Sequence, residues 1–549
     1  MDESVSTQTH AFRVTNLTLG LDEPEAALRE RACEAIGVAR EHLRDLRIAR
    51  RSLDARRASG GGRHFRFVIH VDVVVEGMPT GETFDGASRT GRVRPLAPPQ
   101  QLQLAAADVA KRPERVVVVG AGPAGLFAAL VLAESGVPVD LIERGGELRS
   151  RGRALAGFLN GRKPDPENNL LFGEGGAGTY SDGKLYTRVD HPLSHPILET
   201  FVACGAKPEI VFDSRAHIGT DRLHAILPAL RERLIDAGVQ FHWNTQVSGL
   251  RFHEGGGARA ITGVETNNGE VACDAVVLAI GHSARDTWEH LLRDGVKIEA
   301  RASQLGVRIE HPQALIDAGR YGTGPEAARL GASYYGLVCR AEKGAPGGHS
   351  FCMCPGGQIV ASVNTPGHLC TNGMSNSRHS SPFANAAIVT GVGPREFGDG
   401  VFAGVDYQRA LESRFFDEGG KDYTAPAQRA SDFLKGREST SLKATSYKFG
   451  VVPGRIDLLL PSTVRDGIAR ALTAFNRQIS GFASEEGMLV GVETRCSAPL
   501  RIPRDPDTFR ARDIANLYPV GEGAGYAGGI LSAAIDGAAA AQALLKNPD

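Results

Sequence analysis

Neither sign of charge is in excess in this sequence, and residues able to cross-link it are sparse. Its 549 residues contain 62 Lys and Arg against 63 Asp and Glu, which gives a formal net charge of -1. This balance lacks the basic surface that binds a nucleic-acid backbone or an anionic membrane, so we expect a small-molecule ligand, no nucleic acid and no membrane. The eight cysteines are too few and too scattered for a disulfide framework, which favours a reducing compartment.

Long apolar runs are lacking as well. No stretch reaches the roughly 18 apolar residues that a membrane-spanning helix needs. The first eight residues are acidic and polar, which argues against a signal peptide. We therefore expect a cytoplasmic protein, and the length of the chain predicts more than one structural unit.

The clearest motif lies near the end of the first quarter of the chain. Val116 to Val119 form a β-branched run, as expected of a strand buried on both faces of a parallel sheet. Three glycines follow with G-x-G-x-x-G spacing and open a helix predicted over 124–135. Such glycines close the turn, let a pyrophosphate approach the backbone and let the helix pack on the strand. The predicted phosphate contacts are Gly120, Gly122, Pro123, Ala124 and Gly125.

An acidic residue at the correct distance supports a dinucleotide site. A second buried strand is predicted over 137–142, and Glu143 lies at its end, 18 residues after Gly125. An acid at this position accepts hydrogen bonds from the hydroxyls of an adenosine ribose, and its charge disfavours a 2'-phosphate. We predict that Glu143 and the neighbouring Arg144 contact the nucleotide.

A glycine-rich segment follows an arginine-rich stretch that we predict to be a loop as far as residue 169. Its glycines permit a close approach of the backbone to a flat ligand. The predicted contacts here are Gly175, Gly176, Ala177, Gly178 and Ser181. Thr220 is predicted to cap a leucine-faced helix that ends near Gly238, and short strands follow at 239–243 and 245–250 with a hairpin over 259–274. A further apolar strand over 274–280 ends at Gly281.

The first part of the chain predicts a small α/β unit ahead of the nucleotide motif. Strands are expected over 12–19 and 64–75, with a helix over 23–36. Arginines from Arg44 to Arg57 form a basic cluster, which we interpret as a solvated strand edge rather than an anion site. Residues 86–114, which contain several prolines, are expected to be a connector.

Three separated elements resemble the glutathione-reductase type of FAD-binding flavoprotein. They are the first motif with Glu143, the strand that ends at Gly281, and the terminal strand that leads into Gly521 and Glu522. The resemblance implies that FAD is the cofactor and that the last of these residues meet its ribityl and pyrophosphate groups, with Glu where that family usually has Asp. It further implies that Val247 contacts the adenine through its backbone. The following helix start, including Gly529 and Ile530, would stabilise negative charge on the reduced flavin ring.

More narrowly, the sequence is similar to a bacterial family of largely uncharacterised FAD-dependent dehydrogenases. Segments 173–185, 350–357, 372–375 and 491–499 carry this resemblance. It implies an α/β fold in which a Rossmann-like FAD-binding domain holds an inserted α+β substrate domain and follows a small N-terminal α/β appendage. The predicted boundaries are 1–85 for the N-terminal domain, 86–114 for the linker, 115–181, 216–302 and 486–549 for the FAD-binding domain, and 182–215 and 303–485 for the substrate domain.

The expected function is an FAD-dependent oxidoreductase that transfers hydride between flavin N5 and a small organic substrate. The first helix has no Cys-x-x-Cys pair beside it, which argues against disulfide reduction, and NAD(P)H would bind only transiently as an electron donor. Two alternatives remain open. One is an FAD-dependent monooxygenase, and the other is a non-catalytic FAD-binding sensor that docks a partner through its N-terminal domain.

Four residues are candidates for catalysis. Arg495 offers a planar fork for a substrate carboxylate and Glu493 an acid or base, although an internal ion pair between the two is an equal alternative. His349 and Lys448 are candidate proton donors. Cys352 and Cys354 lack two further ligands at metal spacing, so we interpret them as packing residues and predict no metal.

Overall fold

The computed structural model describes residues 8–56, 63–98, 100–104, 112–187, 190–253 and 259–546. Contacts among them divide the chain into two compact units. The first contains the described part of 1–100 together with 207–216 and 321–329, and the second contains the remainder. Arg57, residues 99 and 105–111 of the predicted connector, and residues 188–189 of the predicted substrate domain lie outside the described residues.

The first unit is a four-stranded antiparallel sheet with two helices. Its elements are β1 (Thr9–Gly20), α1 (Ala27–Ile36), β2 (Leu43–Asp54), β3 (Arg66–Glu76), α2 (Glu82–Arg89) and β4 (Val93–Pro95). The sheet order is β2-β3-β1-β4. Alternate residues of β3, namely Val71, Val73 and Val75, are buried and pack in one core with Leu28 and Ile36 of α1. The two predicted strands and the predicted helix are confirmed, and the helix begins four residues later than expected.

The arginine cluster lies mainly on β2, at one edge of this sheet. Arg51 pairs with Asp213 at 2.8 Å, and both residues belong to the first unit. Their backbones also form an isolated parallel bridge. Segment 207–216 therefore extends this edge, whereas the sequence placed residues 207–215 in the substrate domain and residue 216 in the FAD-binding domain. A local pattern does not reveal an added segment that joins from more than 150 residues away.

The second unit begins with the elements of the predicted nucleotide domain. These are β5 (Val116–Val119), α3 (Pro123–Glu134), β6 (Val139–Ile142), α4 (Leu148–Gly161), α5 (Ser194–Ala203), α6 (Thr220–Asp236), β7 (Gln240–His242), β8 (Val247–Phe252), β9 (Ile261–Thr266), β10 (Gly269–Ala272), β11 (Ala275–Leu278), α7 (Arg285–Arg293) and β12 (Glu299–Ala300).

The chain then continues through a larger sheet and returns. The elements are β13 (Ser303–Pro312), α8 (Gln313–Tyr321), β14 (Val338–Cys339), β15 (Gly348–Cys354), β16 (Gly357–Ala361), β17 (Thr371–Ser375), β18 (Phe383–Val392), α9 (Pro394–Phe397), α10 (Ala403–Glu418), β19 (Ala425–Arg429), α11 (Ala430–Leu434), β20 (Val451–Pro453), α12 (Ile456–Leu459), α13 (Ser462–Gln478), β21 (Met488–Glu493), β22 (Leu500–Arg501), β23 (Leu517–Pro519) and α14 (Ile530–Lys546).

A five-stranded parallel sheet forms the centre of the nucleotide part, in the order β23-β11-β5-β6-β7. Every residue of β5, β6 and β11 is buried, which explains the unbroken apolar sequences of β5 and β11. The one polar residue of β6, Asp140, lies 2.6 Å from His242 Nε2. Helix α14 packs on α3 at a close approach, because a Cβ on Gly537 would lie 1.9 Å from the carbonyl oxygen of Ala124. The terminal segment thereby joins the first motif, as predicted.

The second unit also contains a seven-stranded sheet, in the order β14-β15-β18-β13-β21-β19-β20. Its neighbours are antiparallel except for β19 and β20, and its core includes the fully buried Phe415, Phe475 and Phe482. Strand β21 pairs with β13 and β19 in the middle of this sheet. The predicted boundary at 486 assigned β21 to the FAD-binding domain, and the pairing shows that it belongs with the larger sheet.

Three local predictions are wrong. The predicted connector over 86–114 contains the end of α2 and the strand β4, which pairs with β1 in the sheet of the first unit. The arginine-rich stretch after Arg144 contains helix α4 rather than a continuous loop. Thr220 does not cap α6, because the capping position is Gly219 and the Thr220 hydroxyl donates to the carbonyl oxygen of Ser181. Among the described residues, no helix combines the length and the apolar character that a bilayer crossing requires.

Candidate cofactor and substrate cleft

An open cleft of about 1560 Å³, including its solvent-filled mouth, follows the carboxyl ends of the parallel strands in the second unit. Its wall contains Gly120 after β5, Glu143 after β6, residues 279–284 after β11 and Gly521 after β23. Ligands of open α/β sheets bind outside the carboxyl ends of the strands, so this is the expected position for a nucleotide.

The first glycine turn has the geometry that the motif predicts. Gly120 has a φ of +105°, and a Cβ there would lie 2.4 Å from the carbonyl oxygen of Ala279. Gly125 holds α3 against the turn, since its Cβ would lie 1.8 Å from the carbonyl oxygen of Gly120. Gly122 borders the cleft, and nothing lies closer to a Cβ there than Gly176 Cα at 4.0 Å. Gly122 thus leaves room for a ligand, whereas Gly120 and Gly125 leave room for the protein itself.

Glu143 is buried at the wall of the cleft and accepts three backbone hydrogen bonds. The donors are the amides of Ala121 at 2.7 Å, Gly145 at 2.9 Å and Gly173 at 2.8 Å. A carboxylate offers about four acceptor positions, so these bonds leave capacity for one further donor. Glu143 therefore ties the first turn to the glycine-rich segment. Its contact with a ribose stays a prediction.

Arg144 also lines the cleft, but its charge is already paired. The guanidinium donates to Glu167 at 2.6 Å and to Asp286 at 2.8 Å, and it lies 4.2 Å from the ring centre of Phe172. Burial opposes its charge, yet the two carboxylates raise the pKa of Arg144 above its ordinary value. This side chain is a fixed part of the wall rather than a free cation awaiting phosphate.

Arg151 of α4 holds the glycine-rich segment and was not identified from the sequence. It is fully buried and donates to the carbonyl oxygen of Gly176 and to the Thr179 hydroxyl, each at 3.0 Å, and to the carbonyl oxygen of Asn169. Burial lowers the pKa of Arg151 to about 10. A charged residue on the buried face of a helix does not contribute to an apolar pattern, so the sequence did not predict that Arg151 is buried.

Most predicted cofactor contacts come together in the wall of the cleft. They are Gly120, Gly122, Pro123, Ala124, Glu143, Arg144, Gly176, Ala177, Gly178, Ser181, Val247, Gly281, Gly521, Glu522, Gly529 and Ile530. Gly125 and Gly175 do not reach it. Gly175 faces inward, where a Cβ would lie 2.2 Å from the Thr179 hydroxyl and 2.6 Å from Leu227 Cδ1.

The terminal segment presents backbone to the cleft. Glu522 Oε1 accepts from the amide of Ala498 at 2.8 Å, and burial raises the pKa of Glu522 above its ordinary value. Gly528 and Gly529 are exposed immediately before α14. A Cβ on Gly528 would lie 2.1 Å from Glu522 Oε2, so glycine is required for this carboxyl group to stay in place.

Glu493 and Arg495 both line the cleft, but they do not pair with each other. Glu493 pairs with Arg308 at 3.1 Å, and the thiol of Cys496 donates to Glu493 Oε1 at 3.5 Å. Burial raises the pKa of Glu493, although Arg308 opposes this shift. A carboxyl group with a raised pKa at a cleft wall is chemically suited to hold a proton.

Arg495 belongs to a separate buried cluster. Its guanidinium pairs with Glu412 of α10 at 3.1 Å and donates to Asn364 Oδ1 at 2.5 Å. Arg285 pairs with the same Glu412 at 2.8 Å. Although burial opposes the charge of Glu412, the two guanidinium groups hold its pKa well below the ordinary range. Burial, Arg495 and Arg285 together lower the pKa of His282, which also lines the cleft, to about 4.

The other two catalytic candidates lie away from the cleft. Lys448 is exposed, because the chain alternates there and buries Tyr447 and Phe449 instead. His349 lies in β15 opposite Val389, and only the later part of that strand, from Phe351, lines the cleft. The structure therefore does not bring either residue to the predicted site.

Lys184 is a cleft residue that was not identified from the sequence. Lys184 Nζ lies 2.9 Å from Asp182 Oδ2, and both residues line the cleft. Cys352 is exposed there with a φ of +41°, whereas Cys354 is buried behind it. The Ser-Asp-Gly-Lys sequence at 181–184 was visible, but a single sequence does not show that this lysine turns into the cleft.

Family comparisons match the parts of the chain that build the cleft. A family described as FAD binding domain matches residues 114–159, FAD dependent oxidoreductase matches 212–335, and FAD-dependent protein, C-terminal domain-like, matches 302–496. A domain of unknown function matches 12–73. An uncharacterized protein of Clostridium beijerinckii is 37% identical over 543 residues, which cover 98% of this chain and 99% of that protein. This chain belongs to the family of FAD-dependent oxidoreductases.

Two further proteins resemble this oxidoreductase more distantly. Kynurenine 3-monooxygenase of Salinispora arenicola is 34% identical over 196 residues, which cover 33% of this chain and 40% of that protein. L-proline dehydrogenase from P. horikoshii is 14% identical with a TM-score of 0.32, over 79% of this chain and 94% of that one. Residue roles do not transfer at these distances.

The cleft of this oxidoreductase suits FAD. Backbone surfaces at Gly122 and Gly529 face it without a side chain. A Cβ on Gly122 would have nothing closer than Gly176 Cα at 4.0 Å, whereas a Cβ on Gly529 would lie 3.3 Å from Ser532 Oγ. Polar groups lie at intervals along the wall, which an extended dinucleotide with sugar, diphosphate and ring portions requires.

Proposed function

We propose that FAD lies extended along the cleft in the arrangement of the glutathione-reductase type. Glu143 and Val247 would hold the adenosine end, and the turn at Gly122 with the start of α3 would hold the diphosphate. The isoalloxazine would lie between segment 176–181 and the start of α14. The observation that carries this proposal is the continuity of one cleft from Glu143, after β6, to Gly529, before α14.

When bound, FAD supplies two-electron transfer at N5, and the surrounding residues bind, orient and protonate. The positive end of the α14 dipole would stabilise negative charge on the ring. Glu493 is the proposed proton holder, kept in position by Arg308 at 3.1 Å. Arg495, fixed by Glu412, is the proposed anchor for an anionic group of a small organic substrate. Phe351 and Cys352 border the same space.

The remaining parts of the proposal concern the partners of the enzyme. We propose a cytoplasmic enzyme without nucleic-acid partners, in which NAD(P)H binds transiently as the electron donor. The free cysteines among the described residues are compatible with a reducing compartment. We propose the first unit, which resembles a domain of unknown function over 12–73, as a docking module for a partner.

Anaerobic reduction tests the proposal. The purified holoenzyme is mixed with NADH or NADPH, and bleaching of the flavin absorbance is followed before candidate acceptors are added. Bleaching and reoxidation without oxygen support a dehydrogenase or reductase. Failure with every donor and acceptor would favour the non-catalytic sensor.

A monooxygenase is the second candidate, because part of the chain is similar to kynurenine 3-monooxygenase. The two reactions differ in the fate of oxygen. Incorporation of one labelled atom from ¹⁸O₂ into the product would identify the monooxygenase, whereas a dehydrogenase gives an unlabelled product.

A further inference from the structure

Three potential metal ligands meet beside the cleft from three distant parts of the chain. Asp182 follows the glycine-rich segment, His217 precedes α6, and His379 lies between β17 and β18. One ligand atom from each lies within 4.8 Å of the other two. From this geometry we propose that Asp182, His217 and His379 form a binding site for a divalent transition-metal ion such as Zn²⁺.

The donor set matches this class of ion. Two imidazoles and one carboxylate hold zinc or ferrous iron in proteins and leave coordination positions open for water or substrate. His217 Nε2 lies 3.2 Å from Asp182 Oδ1. With bonds of about 2.1 Å, two ligands of a tetrahedral ion are about 3.4 Å apart, so this pair needs almost no adjustment. His379 would move inward by at most about 1.4 Å to complete the set, given the 4.8 Å limit.

His379 has unused capacity for a ligand. Its Nε2 is enclosed by protein and has no hydrogen-bond partner among the described residues. The ring lies 4.4 Å from that of His217, measured between centroids. An imidazole nitrogen kept from both water and protein partners is normally costly, and a bound ion would remove that cost.

The surroundings orient the carboxylate. The Ser375 hydroxyl donates to Asp182 Oδ1 and lies 3.3 Å from His217 Nε2. Lys184 occupies the other oxygen of Asp182 at 2.9 Å. Outer partners of this kind fix metal ligands in place. The Lys184 ammonium also repels a cation, so it should limit the affinity of the site.

Asp182 is shared by this site and the wall of the cleft. An ion held by the three residues would therefore lie at the edge of the cleft and add positive charge there. The proposal goes beyond the flavin chemistry and does not depend on which substrate is oxidised.

Zinc stoichiometry in the holoenzyme tests the site. The enzyme is dialysed against a chelator, equilibrated with Zn²⁺ alone and desalted, and zinc is measured per flavin. We expect one zinc per flavin after desalting. His379→Gln should weaken binding at least tenfold. His195→Gln is the matched control, because His195 is exposed and pairs with Glu199 one turn away.

Lys184→Met provides a test of opposite sign, because removal of the repelling ammonium should tighten zinc binding at least tenfold. Cobalt(II) provides a spectroscopic readout, since a tetrahedral site gives visible bands beyond the flavin absorption. If His379→Gln fails to retain flavin, His217→Gln replaces it. Absence of zinc from the wild-type enzyme, equal binding by the His379 and His195 variants, or weaker binding by Lys184→Met would each overturn the proposal.

Discussion

A methyl group at Gly122 is predicted to separate cofactor binding from folding. The φ of Gly122 is -77°, which alanine adopts without strain, and the nearest atom to a new Cβ is Gly176 Cα at 4.0 Å. Gly122→Ala should therefore leave the protein interior undisturbed. Its methyl would project at the cleft wall where the diphosphate of FAD is proposed to approach the backbone.

The size of the effect follows from the hydrogen bonds that would be lost. A methyl group would displace the diphosphate from the amides at the start of α3, and a hydrogen bond to a charged group contributes about 1.5–3 kcal/mol. Loss of one or two such bonds costs about 3 kcal/mol, which corresponds to a roughly 100-fold increase in the Kd for FAD. Free energy of unfolding of the apoprotein should stay within about 0.5 kcal/mol of wild type, as for substitutions that disturb no packing.

The assay is reconstitution of apoprotein with FAD, followed by quenching of flavin fluorescence. Gly152→Ala is the matched control. It also adds one methyl to a glycine near a helix start, but nothing lies within 4 Å and the residue is outside the cleft. Its FAD affinity should equal wild type, with a gain in stability of about 0.5–1 kcal/mol from helix propensity.

Gly125→Ala provides the opposite comparison, because its Cβ would lie 1.8 Å from the carbonyl oxygen of Gly120. This variant should lose stability and flavin together. If Gly122→Ala binds FAD as tightly as wild type, the diphosphate does not rest at that turn. If it unfolds like Gly125→Ala, the reasoning from the free space at Gly122 is wrong.

Two further predictions concern buried carboxyl groups. Glu412→Gln leaves Arg285 and Arg495 without a counter-charge. Because one partner of a buried ion pair is removed, the free energy of unfolding of the apoprotein in urea should fall by about 3–5 kcal/mol. An unchanged urea midpoint would contradict the pairing. Burial raises the pKa of Glu310 from 4.5 to about 7, although Ser446 donates to it, so the folded state binds a proton that the unfolded state has lost. The free energy of unfolding should therefore fall by about 3 kcal/mol as the pH rises from about 4.5 to about 7. Glu310→Gln should flatten this decline in unfolding curves measured between pH 4.5 and 8. Parallel pH profiles of the wild type and the variant would refute the prediction.

Local chemistry made the first nucleotide motif predictable. Val116 to Val119, the glycines at 120, 122 and 125, and Glu143 all act within one strand-turn-helix-strand unit. Each of these residue types is required by the conformation or packing of backbone that is close to it in the sequence. The same reasoning succeeded for α14, whose small residues allow close packing on α3.

Helix α4 was not predictable because its essential inward residue is charged. Arg151 is fully buried and bonds the segment that follows, so the helix shows no regular apolar stripe. The sequence alone does not distinguish a buried arginine from a solvent-exposed one. Only the carbonyl and hydroxyl oxygens that it meets in three dimensions distinguish the two cases.

The partners of Glu493 and Arg495 were hidden by distance along the chain. Arg308 is 185 residues from Glu493, and Glu412 is 83 residues from Arg495. Adjacent charges of opposite sign suggested that the pair was internal. On β21 and the turn after it, however, the two side chains enter different clusters, and each finds a partner on another element.

The cluster around Arg495 leads to a final prediction about substrates. Arg285 and Arg495 share the single carboxylate of Glu412, so two positive charges face one negative charge in a buried region. Burial is the main cause of the lowered pKa of His282, and Arg495 and Arg285 lower it further because a third positive charge is disfavoured there. An anionic group near Arg495 reduces the same repulsion, whereas a cationic group increases it.

If the proposed oxidoreductase anchors its substrate at Arg495, an acid should therefore react better than its neutral amide. An ion pair at about 5 Å with an effective dielectric constant of about 20 is worth about 3 kcal/mol before desolvation. After that cost, we expect a preference of at least tenfold in kcat/KM for the carboxylate. Arg495→Met should abolish the preference while the amide reacts at its former rate. A wild-type enzyme that treats the two forms equally would show that the excess charge serves the cofactor or the fold instead of the substrate.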